Sequence, residues 1–164
     1  MKIIVNSFVI SCLDYCNGLY LHVGDKIIQQ LQLIQNAAAK SITGKRKYDH
    51  LKDDLTKLHW LDIRKRIIFK VALLAHKSVL GLAPIYLQDM FRYVHHGHTL
   101  KLITPPARTR YGERSFSVAA PRLYNNLPTY ITSSDSVTDF KNKLKTFLFT
   151  ISHSDLNKLT QINR

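Results

Sequence analysis

Hydrophobic positions recur at helical spacing along most of this chain, and they predict a succession of helices. The first covers 3–20 and is expected to be mostly buried. Ile3, Ile4, Phe8 and Ser11 with Cys12 fall on one stripe, and Asn17-Gly18 supplies a left-handed stop. A second runs from Asp25 to about Ile42. Asp25 is its N-cap, Ile28, Leu31, Ile34 and Ala38 face inward, and Gln29, Gln30, Gln32 and Gln35 cover the other side. Gly44 ends it, ahead of the basic cluster Lys45-Arg46-Lys47. A short amphipathic piece at 50–58 aligns Leu51, Leu55 and Leu58. Trp60 then turns the chain into the clearest helix, capped by Asp62, lined by Ile63, Ile67, Val71, Leu74 and Ser78, and ended by Gly81.

Pro84 opens a further helix over 85–94, with Tyr86, Leu87, Met90 and Phe91. Periodicity fails over 95–106, where His95, His96, His98, a Leu-Lys-Leu-Ile run and Pro105-Pro106 read as loop with one short strand. A helix over 117–127 follows with Pro121 in its first turn. Ser136 caps the last helix, whose stripe is Val137, Phe140, Leu144, Phe147 and Leu148. The pattern predicts a mainly α protein: a helical bundle over 1–94, a loop or linker over 95–116 forming the seam, a C-terminal helical segment over 117–150, and a frayed tail over 151–164. It contains no internal repeat and no low-complexity tract.

Charge changes the picture. Twenty-four Lys and Arg against eleven Asp and Glu give a formal net charge of +13 and a pI near 9.9. Such an excess favours a polyanionic partner, and nucleic acid is the usual one because neutralised phosphates release counterions. An anionic membrane surface would require a basic amphipathic helix with a clear insertion face. Residues 1–13 have a positive start and a short apolar run, like a signal peptide. Asn6, Ser7 and Ser11 weaken that run, and no A-x-A-like cleavage site precedes Asp14, so a core helix is the preferred reading. No segment reaches the roughly 18–20 continuous apolar residues that span a bilayer. Cys12 and Cys16 do not form a secreted disulfide framework; four apart on a helix, they share a face as small hydrophobes and suit an intracellular setting, nuclear or cytoplasmic.

Catalytic chemistry is thinly represented. Polymerases hold two metals with paired aspartates in a tight turn, but Asp53-Asp54 lies inside a helical repeat and reads as a solvated face. His95, His96 and His98 point in different directions along the chain and lack Cys or carboxylate neighbours at ligand spacing. There is no Gly-rich phosphate loop, G-x-S-x-G elbow or H-E-x-x-H. No cofactor is expected. What does stand out is cation interleaved with aromatic, in Lys45-Arg46-Lys47-Tyr48 and in Arg108-Thr-Arg-Tyr-Gly-Glu-Arg-Ser-Phe116. Arg and Lys neutralise phosphates while Tyr or Phe stacks on bases; the competing reading is that the rings are core and the cations a solvated face.

Seven ordered blocks carry a family resemblance. They are Leu13-Asp-Tyr-Cys-Asn-Gly18, Leu31-Gln-Leu-Ile-Gln-Asn-Ala-Ala-Ala-Lys40, Thr43-Gly-Lys-Arg-Lys-Tyr-Asp-His50, Leu58-His-Trp-Leu-Asp-Ile-Arg-Lys-Arg-Ile67, Leu80-Gly-Leu-Ala-Pro-Ile-Tyr-Leu87, Tyr111-Gly-Glu-Arg-Ser-Phe-Ser-Val-Ala-Ala-Pro-Arg-Leu-Tyr-Asn-Asn-Leu-Pro128 and Asp139-Phe-Lys-Asn-Lys-Leu-Lys-Thr-Phe-Leu-Phe149. Over roughly 5–150 the chain resembles the post-palm region of LINE-type, non-LTR retrotransposon reverse transcriptases of the chicken-repeat and jockey types. Tyr124 stands where that family usually has tryptophan, and Glu113-Arg114 where it has Asp-Arg.

The resemblance implies a thumb-like helical bundle followed by a C-terminal segment. The palm, with its metal-binding Phe/Tyr-Ala-Asp-Asp turn, and the endonuclease domain lie upstream in the family, so the magnesium ligands of the intact enzyme are not among these residues and no catalytic residue carries over. Met1 falls inside an expected thumb helix, which predicts a fragmentary reading frame such as a 5′-truncated element copy gives. A non-catalytic remnant would retain at most backbone binding to RNA or an RNA/DNA template–primer. The candidate phosphate contacts are Lys45, Arg46, Lys47, Arg64, Lys65, Arg66, Arg108, Arg110 and Arg114, with Tyr48 and Tyr111 as stacking platforms. Trp60, Leu82, Pro84, Phe116 and Leu127 are expected to pack. Two alternatives stand beside this reading: a relic without molecular function, and a protein-interaction module using helix faces that once packed on the palm.

Overall fold

The computed structural model describes residues 2–46, 48–96 and 99–160 and is mainly helical, with one two-stranded sheet among the described residues. The chain forms two compact units, Met1–Ile67 and Ile68–Arg164. The expected seam at 95–116 therefore lies inside the second unit.

The first unit opens with an α turn, Lys2–Val5 (α1), a π turn, Asn6–Ile10, and another α turn, Ser11–Asp14 (α2). The wider π turn shifts the inward stripe away from the one that a 3.6-residue period predicts. Val5 and Ile10, five apart, are buried against Ala38 and Ala39, with Val9 and Leu13 beside them. Ile3 is 81% exposed and Phe8 72%, so this segment is not the mostly buried helix expected. The left-handed residue after it is Cys16 (φ 49°) rather than Gly18, which sits in the 3-10 turn Asn17–Tyr20. Cys12 and Cys16 are both exposed, and Cys16 lies beyond α2, so they do not share a buried helix face.

Helix α3, Asp25–Thr43, has Gly24 at its cap position and Asp25 in its first turn. Gly44 (φ 69°) ends it in the left-handed conformation that glycine adopts without steric cost. The glutamine face departs from expectation. Gln35 is fully buried and its Nε2 donates to the Leu61 carbonyl at 2.8 Å, while Gln32 Oε1 accepts from the Ile63 N–H at 2.9 Å. These amides satisfy backbone groups of the segment entering the next helix, whereas Ile34, expected inside, is about half exposed.

Helix α4, Lys52–Lys57, closes with a Schellman motif: the His59 N–H donates to the Thr56 carbonyl and the Trp60 N–H to that of Leu55, with His59 at φ 57°. Trp60, Leu51, Leu55 and Leu58 complete the core around Ala38 and Ala39. Asp62 caps α5, Ile63–Val79, by accepting from the Lys65 N–H at 2.9 Å. Ile63 and Ile67 pack with Ile28, Leu13, Leu21 and Leu31.

In the second unit, Val71, Ala72, Ala75 and His76 of α5 are buried and Leu74 is half-buried. Gly81 (φ 69°) closes α5 with the same motif as His59 closes α4: Gly81 N–H to Ser78, Leu82 N–H to Lys77. Leu82 and Pro84 are exposed rather than packed. The helix expected over 85–94 is a single turn, Ile85–Gln88 (α6), after which Phe91 is buried and the chain becomes a strand, Tyr93–His96 (β1). It pairs antiparallel with Thr99–Leu102 (β2), Tyr93 opposite Leu102. The side chain of Asn125 then binds both backbone groups of Leu102 (2.9 and 2.7 Å), occupying that position on the sheet edge as a third strand would.

A turn at Arg110–Glu113 (α7) precedes α8, Phe116–Asn125, α9, Thr129–Thr132, and α10, Val137–Thr150. Pro121 lies in the interior of α8, not in its first turn, and is buried. Ser136 caps α10 by accepting from the Asp139 N–H, and Phe140, Leu144 and Leu148 are fully buried. Of the tail expected to fray over 151–164, residues 161–164 lie outside the described residues, and the described part instead forms a helix, His153–Thr160 (α11). Its Leu156 is fully buried, and the Leu159 carbonyl accepts from Asn126 Nδ2. At the centre of this unit the His76 ring stacks on Phe140, centroids 3.9 Å apart, and bonds Tyr124 Oη through Nδ1 at 3.1 Å.

Candidate nucleic-acid interface

The two basic segments belong to different units and differ in what their cations touch. In the first unit, Lys45 follows the glycine stop of α3, and its Nζ lies 2.5 Å from Asp54 Oδ2 and donates to the His50 carbonyl at 2.8 Å. The hydrogen bond and attraction of Asp54 raise the Lys45 pKa above its ordinary value. Asp54 itself is buried, which corrects the expectation of a solvated Asp53-Asp54 face; Asp53 alone is exposed.

Arg64 pairs with Asp25 across α3 and α5. Arg66 holds Asp14 with two parallel bonds, Nε to Oδ1 at 2.8 Å and Nη2 to Oδ2, the fork geometry that guanidinium suits. Lys65 is only slightly exposed and lies 3.9 Å from Asp62. Arg46 is exposed, with its backbone N–H bound to Asp49, and Tyr48 is 87% exposed. Lys47 lies outside the described residues. The aspartates thus engage Lys45, Arg64, Lys65 and Arg66, the greater part of the cluster expected to meet phosphate.

The second segment is built differently. Thr109 caps α7, its Oγ1 accepting from the Gly112 N–H at 3.1 Å. Ser115 donates through Oγ to the Gly112 carbonyl at 2.7 Å and stands at the cap of α8. A turn pinned at both ends presents Tyr111, 85% exposed, with Arg114 three residues on, whose N–H bonds the Tyr111 carbonyl. Residues three apart on a helical turn are surface neighbours. Arg108 and Arg114 are exposed and form no ion pair among the described residues. The side chain of Arg110 lies outside the described set.

No family model, curated protein or solved structure matches this chain.

The hairpin adds two cations that periodicity did not single out. Arg92 and Lys101 are exposed, and they belong to the same unit as the 108–114 turn. Lys101 was visible only as charge within an aperiodic stretch, and Arg92 only as a cation in the stretch expected to be helical. The second unit carries thirteen Lys and Arg against five Asp and Glu, the first eleven against six.

Tyr124 and His76 belong to the core of the second unit. Burial pushes the imidazole down to about 4 and the phenol up to about 12, so both are neutral across the physiological range. Among the described residues no three His, Cys, Asp or Glu side chains gather as a metal-binding group. His98, and the side chains of His95 and His96, lie outside those residues. No described helix is long and apolar enough to cross a membrane.

Proposed function

We propose that this chain binds nucleic acid through its phosphate backbone, without catalysing chemistry, as the post-palm part of a non-LTR retrotransposon reverse transcriptase would. The observation that carries the reading is the 108–114 turn. It displays Arg108, Tyr111 and Arg114 to solvent, the two arginines forming no ion pair among the described residues, in the unit with the larger positive excess. Unpaired arginines at a pinned turn can neutralise phosphates without first breaking an internal ion pair. The first cluster contributes through Arg46 and Tyr48, since Lys45, Arg64, Lys65 and Arg66 are engaged within the fold. The setting that goes with this function is intracellular, nuclear or cytoplasmic.

Fluorescence anisotropy with a labelled structured RNA, at low and moderate salt, tests this. Affinity should fall steeply with salt, and an Arg108/Arg110/Arg114→Ala triple variant should bind at least about tenfold more weakly. An unchanged affinity in the triple variant, its fold verified by circular dichroism, would remove the turn from the interface. A second reading, a protein partner, draws on the apolar side chains that the first unit leaves in solvent: Ile3, Ile4, Phe8, Leu19 and Leu33. It requires concentration-dependent association in light scattering that Phe8→Ser diminishes.

A further inference from the structure

We infer that the 108–114 turn takes single-stranded rather than duplex nucleic acid, stacking one unpaired base on Tyr111 between phosphates held by Arg108 and Arg114. This rests on the nucleic-acid reading above and narrows it.

Three observations combine. Tyr111 offers nearly all of its ring to solvent, at 85% exposure, in a unit whose Tyr124 is wholly buried. The ring is flanked in sequence by Arg108 and Arg114, both exposed, with Arg114 on the adjoining position of the same turn. The Thr109 and Ser115 hydroxyls fix the backbone on either side of it, so little ordering remains when a ligand arrives.

The chemistry favours an open strand. Bases of a duplex are already stacked on one another and offer a side chain only their edges, which a phenol ring cannot stack upon. In a single strand every base has a free π face, and an aromatic ring beside cations suits it whatever the base. Tyr48 is exposed too, but it has a partner within the chain, and neighbouring Lys45 is committed to Asp54. Tyr15, Tyr86, Tyr93 and Tyr130 are less exposed than Tyr111. Of these five, Tyr111 alone lies between two exposed arginines within three residues on either side, so Tyr111 is the platform.

The test uses the full chain and four labelled probes of equal length: oligouridylate, oligothymidylate, a blunt RNA duplex and a blunt DNA duplex. The wild type should bind both single strands more tightly than either duplex. Tyr111→Ala should weaken single-strand binding about fivefold or more while changing duplex binding less than about twofold, and Tyr111→Phe should retain single-strand affinity. Equal loss on strand and duplex, or none on either, would overturn the stacking role, as would tighter binding of a duplex by the wild type. The parent reading fails separately: it falls if no probe binds in a salt-dependent way, or if Arg108/Arg114→Ala leaves every affinity unchanged. Tyr111, Arg108 and Arg114 are all exposed, so these variants should fold, which circular dichroism checks.

Discussion

The two units face the same physical problem, holding a small helical core together in a chain with a large positive excess, and they answer it differently. The first uses its cations internally. Arg66 grips Asp14, Arg64 pairs with Asp25 and Lys45 meets a buried Asp54, while Gln32 and Gln35 bind backbone between α4 and α5. The second fastens its centre with neutral groups: the His76 imidazole stacked on Phe140 and bonded to Tyr124. Its arginines at 108 and 114 remain outside. Positive charge in a sequence is thus one quantity with two uses, and only the location of the carboxylates separates structural cations from those available to a ligand.

The largest expected effect is acid sensitivity of the second unit. Tyr124 Oη donates to the Thr132 carbonyl at 3.3 Å, so its oxygen accepts from His76 Nδ1–H, leaving a bare lone pair on the buried Nε2. Protonating that nitrogen would bury an unpartnered charge. The folded-state pKa near 4 lies below the ordinary 6.5, so the unfolded chain binds the proton first as pH falls. Stability from this group is full above pH 6.5, declines between 6.5 and about 4, and is flat below. From the size of the shift, up to about 3 kcal/mol is lost across that window. Denaturant midpoints measured from pH 7.5 to 4 should show it, and His76→Phe, which keeps a ring on Phe140, should flatten that part of the profile. An unchanged slope in His76→Phe would show that the second unit does not depend on a neutral imidazole.

The next effect sets one arginine of each unit against the other. Arg66→Ala removes two charge-assisted bonds at a largely buried side chain and should cost about 1–2 kcal/mol, after allowing for the partial exposure of Asp14. Arg114→Ala touches no partner among the described residues and should stay within about 0.5 kcal/mol of wild type. RNA affinity should rank them in the reverse order. If Arg66→Ala weakened RNA binding more than Arg114→Ala in a chain that remained folded, the division between internal and available cations would be wrong.

That division explains how far the sequence could be followed. Features set by near neighbours were legible: the Gly44 stop, the Asp62 and Ser136 caps, and the stripes of α5 and α10 each depend on residues within a turn or two. Features that depend on remote partners were not. Gln35 looks like a surface residue until the Leu61 carbonyl, 26 positions on, is seen to need a donor. The hairpin after Phe91 draws on Asn125, and α11 on a core that Leu156 enters from that segment. The π turn rotated the first stripe by a residue that no fixed period anticipates. For the candidate site, both basic runs were visible, but Arg66 meets Asp14 across 52 positions and Arg64 meets Asp25 across 39. Nothing local distinguishes those arginines from Arg108 and Arg114.

The smallest effect sharpens the comparison at the backbone. The same helix-ending motif occurs in both units, with His59 in the left-handed position after α4 and Gly81 in that position after α5. A β-carbon is disfavoured there by about 1 kcal/mol or somewhat more, whereas glycine loses extra chain entropy on folding. His59→Gly should therefore stabilise the first unit by about 0.5 kcal/mol, the relief of strain slightly exceeding the entropy term. Gly81→Ala should destabilise the second by about 1 kcal/mol. A β-carbon at Gly81 meets nothing closer than Gln88 Oε1 at 3.8 Å, so the cost is conformational and not steric crowding. Thermal midpoints of the two variants should move in opposite directions. Should His59→Gly lower the midpoint instead, the His59 side chain must contribute more to the fold than the left-handed backbone costs it, and the first unit would hold a favourable contact at this exposed turn where the second holds only a permissive glycine.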